Sequence, residues 1–175
     1  MLLALGWPQA ATAAGAVTVG PWPTLRVRIA PAIHLAQDAA SASQLDLALG
    51  VTAGLPIVFY PEGSRDLLSK VFVLYPELGY QYQSNGKHLF SVGTYLGYGP
   101  GMLYGAGGAS LLVGSQIEGR AVGFRYGAGL HMLFDTVSIE LQHQVLWAQS
   151  LAQHDLILWL GINPLQLANL GGTIH

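Results

Sequence analysis

The sequence predicts an all-β fold: a closed, antiparallel, up-and-down barrel of eight transmembrane strands, with a polar lumen filled by side chains. Composition is the first reason, because 51% of the 175 residues are hydrophobic and only 9% are charged, whereas an average soluble domain carries roughly 25% charged residues. The second reason is that no stretch approaches the ~20 consecutive apolar residues of a membrane-spanning helix. The third is that large apolar residues alternate with small or polar ones, which is typical of strands with two different faces. High hydrophobicity without long apolar runs is typical of a transmembrane β-barrel.

The two ends of the chain lie outside the predicted barrel. We predict that residues 1–22 are a signal-peptide remnant or a disordered N-terminus, that 23–165 form the barrel and that 166–175 form a C-terminal tail. The apolar start is followed by Ala11, Thr12 and Ala13, which resembles the cleavage end of a secretory signal. The basic start of such a signal is missing, because the first arginine is Arg26. The chain has no cysteine, which excludes disulfides and thiolate chemistry.

Two strands with clear alternation open the predicted barrel. The first, residues 24–35, places Leu25, Val27, Ile29, Ile33 and Leu35 opposite Arg26, Arg28, Ala30, Ala32 and His34. The second, residues 44–59, places Leu45, Leu47, Leu49, Val51, Leu55 and Ile57 opposite Gln44, Asp46, Ala48, Gly50, Thr52 and Gly54. In both strands one face is apolar, and the other mixes charged with small residues.

The third and fourth strands form a hairpin around Ser84, Asn85 and Gly86. Its arms place Phe72, Leu74, Leu78, Tyr80, Tyr82, Phe90, Val92, Leu96 and Tyr98 on one face, opposite Glu77, Gly79, Gln81, Ser91, Gly93, Gly97 and Gly99. A three-residue loop with glycine in the left-handed position is a favoured hairpin connection. It pairs Tyr82 with His88, Tyr80 with Phe90 and Leu78 with Val92, so that residues facing each other share a face, as they must.

Four further segments complete the eight strands. The fifth, about residues 102–114, is rich in Gly and Ala, and its facing pattern is unclear. The last three, at 120–134, 136–147 and 154–163, place Val122, Phe124, Tyr126, Leu130, Met132, Val137, Ile139, Leu141, Val145, Trp147, Leu156, Leu158, Leu160 and Ile162 on the apolar face. The turn between the sixth and seventh strands pairs Met132 with Val137 and His131 with Ser138. No segment has a helical period over a useful length, apart from a possible helical turn at residues 63–69.

Lumen size decides which face points inward. An eight-stranded barrel is just wide enough inside for its side chains, so the large apolar residues are expected outside, against lipid. We predict a polar network in the lumen made of Arg26, Arg28, His34, Asp46, Glu77, Arg125, His131, Glu140 and Gln142, because buried charges need partners of opposite sign. We predict interfacial aromatic residues at Tyr80, Tyr82, Tyr98, Phe134 and Trp147.

Over about residues 24–163 the chain resembles the small eight-stranded outer-membrane barrels of Gram-negative bacteria, of the OmpX or OmpA-transmembrane-domain type. The resemblance implies a location in the outer membrane, contact with its lipid, and a structural, anchoring or envelope-complex role without an open pore or enzymatic activity. Other envelope proteins are candidate partners, and the long connection at residues 60–69 is a candidate contact. A net charge of −2 gives no basic field for nucleic acid. We expect no cofactor and no metal.

Two alternatives remain open, a membrane-embedded lipid hydrolase and a soluble, lipocalin-like barrel that binds an apolar ligand. Ser84-Asn85-Gly86 resembles a stretch of the lipid A deacylase family, whose catalytic His and Ser lie two apart just before an Asn. Here Tyr82 stands where that His would fall, and the bland interpretation is a hairpin turn. His131, Ser138 and Glu140 share a face and are candidates for nucleophilic catalysis; the bland interpretation is a buried polar network.

Overall fold

The computed structural model describes residues 16–19, 24–35, 43–60, 68–116, 119–133, 135–148 and 151–172. These residues form ten strands and one helix. The elements are β1 (Ala16–Val19), β2 (Thr24–Leu35), β3 (Gln44–Gly54), β4 (Ile57–Tyr60), β5 (Lys70–Gln83), β6 (Lys87–Pro100), β7 (Leu103–Gln116), β8 (Gly119–Met132), β9 (Val137–Ala148), β10 (Leu151–Ile162) and α1 (Pro164–Gly172). No helix in the described part of the chain has the length and apolarity of a membrane-crossing segment.

Eight strand positions close into an antiparallel barrel, which confirms the predicted fold class. The order around the ring is β5, β3, β2, β10, β9, β8, β7 and β6, and β6 pairs with β5 to close it. β3 and β4 share one position, and their interruption at Leu55 and Pro56 follows from proline's missing N–H. The predicted pairs Tyr82–His88 and His131–Ser138 are both confirmed.

The strands are offset by ten residues around the ring. Starting at Phe72, the strand pairings connect outward-facing residues in the order Tyr98, Gly105, Leu130, Ile139, Leu160, Ile29 and Leu49, and they return to β5 at Tyr82. A ten-residue offset at a rise of about 3.3 Å, spread over eight strands about 4.8 Å apart, corresponds to a strand tilt of about 40°. Each residue therefore advances about 2.5 Å along the barrel axis.

The large residues that the alternation assigns to the apolar face point outward along the strands, as predicted. Exposed side chains include Leu25, Val27, Ile29, Leu45, Leu47, Phe72, Leu78, Phe90, Val92, Leu96, Leu111, Val122, Leu130, Leu141, Leu158 and Leu160. β7, whose pattern is unclear from sequence, turns Tyr104 and Leu112 into the lumen. Val145 shares the outward parity but is buried.

Glycines make room for large aromatic rings inside the narrow lumen. A Cβ added at Gly54 would lie 2.7 Å from the Tyr75 ring, and one added at Gly97 would lie 2.8 Å from the Tyr104 ring. The same substitution at Gly108 would come within 2.7 Å of Tyr95. Inward glycines therefore let the lumen accept tyrosines that an alanine at the same place would displace.

Both ends of the described chain hold elements that the sequence did not predict. α1 begins one residue after Asn163, whose Oδ1 accepts from the backbone N of Gln166 at 3.3 Å, and Pro164 occupies the first helical position, where its missing N–H costs little. The helix contacts β2, so the prediction of no useful helix was wrong. β1, within the segment predicted as a signal remnant or disordered, pairs with β4. The predicted helical turn at 63–69 falls mostly outside the described residues.

Candidate functional site

The barrel interior holds half of the charged residues of the chain. We call the end of the barrel near α1 the α1 end, and the end with the Ser84 turn the loop end. Of seven Lys and Arg and nine Asp and Glu, four of each sign are buried among the described residues: Arg26, Arg28, Lys87, Arg125, Glu77, Asp135, Glu140 and Asp155. These opposite charges balance, and they form one chain of polar contacts along the lumen, which we call the polar column.

Two arginines of β2 and two glutamates form the middle of the polar column. Glu140 accepts from Arg26 Nη1 at 3.2 Å and from Arg28 Nη1 at 3.4 Å, one with each carboxylate oxygen. Arg28 Nη2 also donates to Glu77 Oε2 at 2.9 Å. Gln142 Nε2 donates to Glu140 at 2.7 Å. Each glutamate thus neutralises a guanidinium that has lost its water, which is the condition for burying these charges.

Asp135 terminates the polar column at the α1 end. It lies in the turn between β8 and β9 with φ of 71°, a left-handed conformation that Asp tolerates better than most residues. Its Oδ2 accepts from Arg26 Nε at 3.0 Å and its Oδ1 contacts His131 Nδ1 at 2.5 Å. Burial opposes ionisation, but the charge of Arg26 and the bond from His131 together hold the pKa of Asp135 below its ordinary value. Arg26 also lies 4.2 Å from the centre of the Tyr75 ring.

Amide side chains carry the polar column towards the loop end. Arg125 Nη1 donates to Gln81 Oε1 at 3.1 Å, and Gln81 Nε2 donates to Gln144 at 3.3 Å. Gln144 Nε2 in turn donates to Asp155 at 2.9 Å. Lys87 Nζ lies 2.9 Å from the same Asp155 carboxylate. The column therefore ends in an ion pair at the loop end, as it does at the α1 end.

The structure brings most of the predicted lumen residues together. Those that join the polar column are Arg26, Arg28, His34, Glu77, Arg125, His131, Glu140 and Gln142. Asp46 does not join it: its carboxylate accepts from Ser84 Oγ at 3.3 Å and from Asn85 Nδ2 at 2.6 Å. Asp46 lies near the loop end of β3, so the Ser84 turn is closer to its carboxylate than any lumen cation is. It therefore supports the turn instead of the column.

Three charged members of the polar column were not in the predicted network: Asp135, Lys87 and Asp155. Lys87 and Asp155 occupy inward positions of β6 and β10, so the alternation that found Arg26 extends to them. Asp135 lies in a turn, where alternation does not apply. Its role depends on contact with Arg26, 109 residues away in the chain.

The candidate catalytic residues lie side by side but are not bonded as a catalytic set. His131 pairs with Ser138 across β8 and β9, and its Nε2 lies 3.8 Å from Glu140 Oε1. Ser138 Oγ and His131 Nε2 are both buried and have no hydrogen-bond partner. The carboxylate on His131 Nδ1 is Asp135, not Glu140. All of these side chains are buried, and His131, Asp135 and Glu140 belong to the polar column.

The Ser84 turn makes structural contacts. Ser84 Oγ accepts from the backbone N of Leu47 at 3.0 Å while it donates to Asp46, and Gly86 takes the left-handed conformation with φ of 82°. The ring of Tyr82 lies 5.0 Å from that of His88 on the outward face. The bonds of Ser84 to Leu47 and Asp46 tie the hairpin to β3, and the left-handed Gly86 is typical of a structural turn.

Aromatic side chains on the outward face lie near both ends of the barrel. The α1-end belt contains Phe59, Phe72 and Tyr98, with Phe72 and Tyr98 ring centres 4.5 Å apart. The loop-end belt contains Tyr80, Tyr82, His88, Phe90, Phe124, Tyr126, His143, Trp147 and His154. The predicted interfacial residues Tyr80, Tyr82, Tyr98 and Trp147 lie in these belts, whereas Phe134 lies outside the described residues. No group of three or more His, Cys, Asp or Glu in the described ranges is arranged to hold a metal ion.

Comparison with known proteins gives a distant structural likeness. No protein-family model matches the sequence, and a search of curated proteins finds no match. Among solved structures, the chain is similar to Ail, the attachment invasion locus protein of Yersinia pestis, with 12% identity and a TM-score of 0.26, over 80% of this chain and 96% of that one. An overlap this weak carries no argument about function.

Proposed function

We propose that this chain is an integral β-barrel protein of a bacterial outer membrane, with a structural or anchoring role and no open pore. The observation that carries the proposal is an apolar outer surface bounded by two aromatic belts. On β5 alone, Phe72 and Tyr82 lie ten residues apart, which at the tilt of this barrel is about 25 Å. An apolar band of about 25 Å between aromatic belts is the surface that a transmembrane barrel presents to lipid.

The distribution of charge supports the same proposal. Among the described residues, the charged side chains that face outward are Lys70 and Arg120, at the ends of β5 and β8 and outside the two belts. Lipid excludes charge from the zone between the belts, and a closed barrel leaves no unpaired strand edge in that zone. A single chain with an even number of strands is the form that bacterial outer-membrane barrels take.

The polar column argues for a structural role and against conduction. Buried side chains fill the lumen at both ends: Tyr75, Tyr95 and Tyr104 belong to a cluster at the α1 end, and Leu89, Leu112 and Leu146 pack together towards the loop end. Paired charges occupy the middle. Because every cation of the column touches a carboxylate or an amide, a moving ion would have to break several buried contacts. An anchoring or supporting barrel needs no such passage.

The two alternatives gain nothing from the described residues. A soluble barrel that binds an apolar ligand needs an apolar lumen, whereas the middle of this lumen is ionic. A hydrolase that uses Ser138 needs a base on its hydroxyl, and that hydroxyl is buried without a hydrogen-bond partner.

Membrane extraction tests the proposal directly. We expect the chain, expressed with a secretion signal in a Gram-negative host, to sediment with outer membranes and to require detergent for release. Unheated samples should migrate differently from boiled ones in gel electrophoresis, as closed barrels do. Release into buffer without detergent would contradict the proposal and favour the soluble barrel.

Conductance measurement tests the closed lumen. In planar bilayers we expect no steady single-channel conductance from the purified barrel. A matched variant, Tyr95→Gly with Tyr75→Gly, removes two rings from the α1-end cluster and should raise the frequency of current events. Stable ohmic channels from the unmodified chain would contradict the closed-lumen part of the proposal.

A further inference from the structure

We propose that Tyr126, His143 and His154 form a binding site for the phosphate group of an anionic lipid, on the outward face of the barrel within the loop-end belt. The site binds more strongly when the histidine pair takes up a proton. This inference rests on the membrane location proposed above and adds a ligand class to it.

The three side chains form one hydrogen-bonded relay across β8, β9 and β10. His143 Nδ1 lies 2.8 Å from Tyr126 Oη, and His143 Nε2 lies 3.2 Å from His154 Nδ1. The two imidazole rings are nearly parallel, with centres 5.3 Å apart. The relay uses both nitrogens of His143 and one nitrogen of His154, and among the described residues Nε2 of His154 is its open end.

The number of protons on the two imidazoles determines whether His154 Nε2, the open end of the relay, donates a hydrogen bond. When both rings are neutral, each carries one N–H, and the Tyr126 hydroxyl can donate to His143, which then donates to His154. In that arrangement the remaining N–H is at His154 Nε2. One added proton makes the pair cationic while Nε2 still donates, so an anion there receives a charge-assisted hydrogen bond. Imidazole is the side chain that ordinarily changes charge between about pH 5 and 8.

Among the residues that the structure describes, no carboxylate lies beside the pair on the outward face. In the register of the strands His143 faces Leu156, and His154 lies between Val145 and Leu35. On the four surrounding strands, the charged and titratable side chains of Arg125, Glu140, Asp155 and His34 face the lumen side. Asp155 is paired there with Lys87. Arg120, at the loop end of β8, is a cation. Within the described part of the chain, a cationic pair here has no outward-facing carboxylate as partner, which favours an external anion.

The depth of the site selects a lipid phosphate as that anion. Allowing for strand tilt and the ten-residue offset, His143 and His154 lie about 20–30 Å along the axis from Phe72. That is the far boundary of an apolar band about 25 Å tall, where headgroup phosphates lie. The aromatic contact of Phe124 with Trp147, at 5.5 Å, continues the belt beside the site and offers an apolar surface for acyl chains.

Lipid titration of the whole chain, folded in dodecyl maltoside micelles, tests the site. The probes are dioctanoyl phosphatidylglycerol, zwitterionic dioctanoyl phosphatidylcholine, and glycerophosphoglycerol, which carries the same headgroup without acyl chains. Binding is followed at pH 5.5 and 7.5 through the ³¹P resonance of each probe, which reports on the unmodified chain and on every variant alike. We expect phosphatidylglycerol to bind about tenfold more tightly at the lower pH, phosphatidylcholine to change little, and glycerophosphoglycerol to bind weakly with the same pH trend.

Matched variants locate the effect. The double variant His143→Phe/His154→Phe keeps two aromatic rings in the belt and should lose the pH dependence. His88→Phe is the control, because His88 also contacts a tyrosine hydroxyl, at 2.7 Å, but lacks a second imidazole; it should keep the tenfold difference. A retained difference in the double variant would overturn the site. If glycerophosphoglycerol bound as tightly as phosphatidylglycerol, the phosphate would not need to belong to a lipid, and the lipid part of the proposal would be overturned. Loss of binding on adding EDTA would assign the histidine pair to a metal instead.

The result can be separated from the proposed function. If the double variant and the unmodified chain both need detergent for extraction yet titrate alike, the phosphate site fails and the membrane location stands. If the unmodified chain is released without detergent, the membrane location fails first.

Discussion

The two faces of the barrel wall obey different rules, although they alternate residue by residue along the same strands. On the outward face Ile29, Ile139 and Leu141 are exposed, and in the proposed lipid surrounding one large apolar residue substitutes for another at little cost. On the inward face Arg28 and Glu140 have named partners at fixed distances. The outer face is therefore specified by composition, whereas the inner face is specified by pairing.

This difference indicates which residues are most sensitive to substitution when the stability of the barrel is measured. A buried ion pair contributes little net stability compared with an apolar replacement of the pair, but removal of one partner leaves an uncompensated charge. Outward apolar residues carry no such risk. Adjacent residues can thus differ severalfold in sensitivity, and neighbouring substitutions are natural controls for each other.

The largest effect is expected from Glu140→Ala, because Glu140 is the carboxylate shared by Arg26 and Arg28. We expect a loss of about 3–5 kcal/mol in the free energy of unfolding, measured by urea unfolding of the barrel in lipid vesicles. The neighbouring Leu141→Ala, on the outward face, should cost about 2 kcal/mol or less. Equal losses for the two variants would mean that the faces do not differ as described.

A second expected effect depends on depth in the membrane. Ile139→Arg places a cation midway between the aromatic belts and should destabilise the folded barrel in lipid by about 2–4 kcal/mol, whereas Leu45→Arg, near the loop end, should cost about 0–1 kcal/mol. The same vesicle unfolding assay compares them. If both arginines are tolerated equally, the outward face does not contact lipid.

A third expected effect is an energetic coupling between Arg28 and Glu77. Arg28 Nη2 donates to Glu77 Oε2 at 2.9 Å. Arg28→Met and Glu77→Gln should each destabilise the barrel, and the double variant should be less destabilised than the sum of the two by about 0.5–3 kcal/mol. A cycle of Ile29→Ala with Leu78→Ala, on the outward face of the same strands, provides the additive reference. Additivity in both cycles would refute specific pairing inside the lumen.

The smallest expected effect is a pH dependence from Asp135. Because its pKa is lowered in the folded chain, this carboxylate contributes stability above its unfolded pKa of about 4. That contribution is lost as pH falls through the lower, folded value. Asp135→Asn, which also tolerates a left-handed backbone, should reduce this acid-dependent part of the unfolding free energy. An unchanged pH profile in Asp135→Asn would assign the acid sensitivity to other carboxylates.

Sequence patterns predict the fold because alternate residues of a transmembrane barrel strand face two different environments, and their side chains differ accordingly. The eight strand positions and the pairings around Gly86 and Asp135 follow from that alternation and from hairpin geometry. The facing pattern of β7 could not be predicted in this way, because its many glycines and alanines give no contrast in size between its two faces. The pattern also missed α1, whose nine residues include only a short apolar repeat after Asn163 and Pro164.

The composition of the polar column was predictable, but its pairing was not. Alternation assigns Arg26, Glu77 and Glu140 to the lumen, yet it does not say which of them touch. Their contacts join residues 49–114 positions apart in the chain. Asp46 shows the limit clearly, since it shares the inward parity of its strand but binds the Ser84 turn at the rim. Distance along the barrel axis, which follows from the ten-residue offset, decides those contacts.

The seam between β2 and β10 has a consequence for assembly. The first hairpin of the barrel brings the two buried arginines of β2, and the last brings Glu140 and Asp155, with Asp135 just before it. Neither hairpin is neutral inside by itself, and Arg26 meets Asp135 and Glu140 only when the first and last strands pair. Electrical neutrality of the interior is therefore a property of the closed ring and not of either hairpin, because these buried charges meet their partners only across the pairing of β2 with β10.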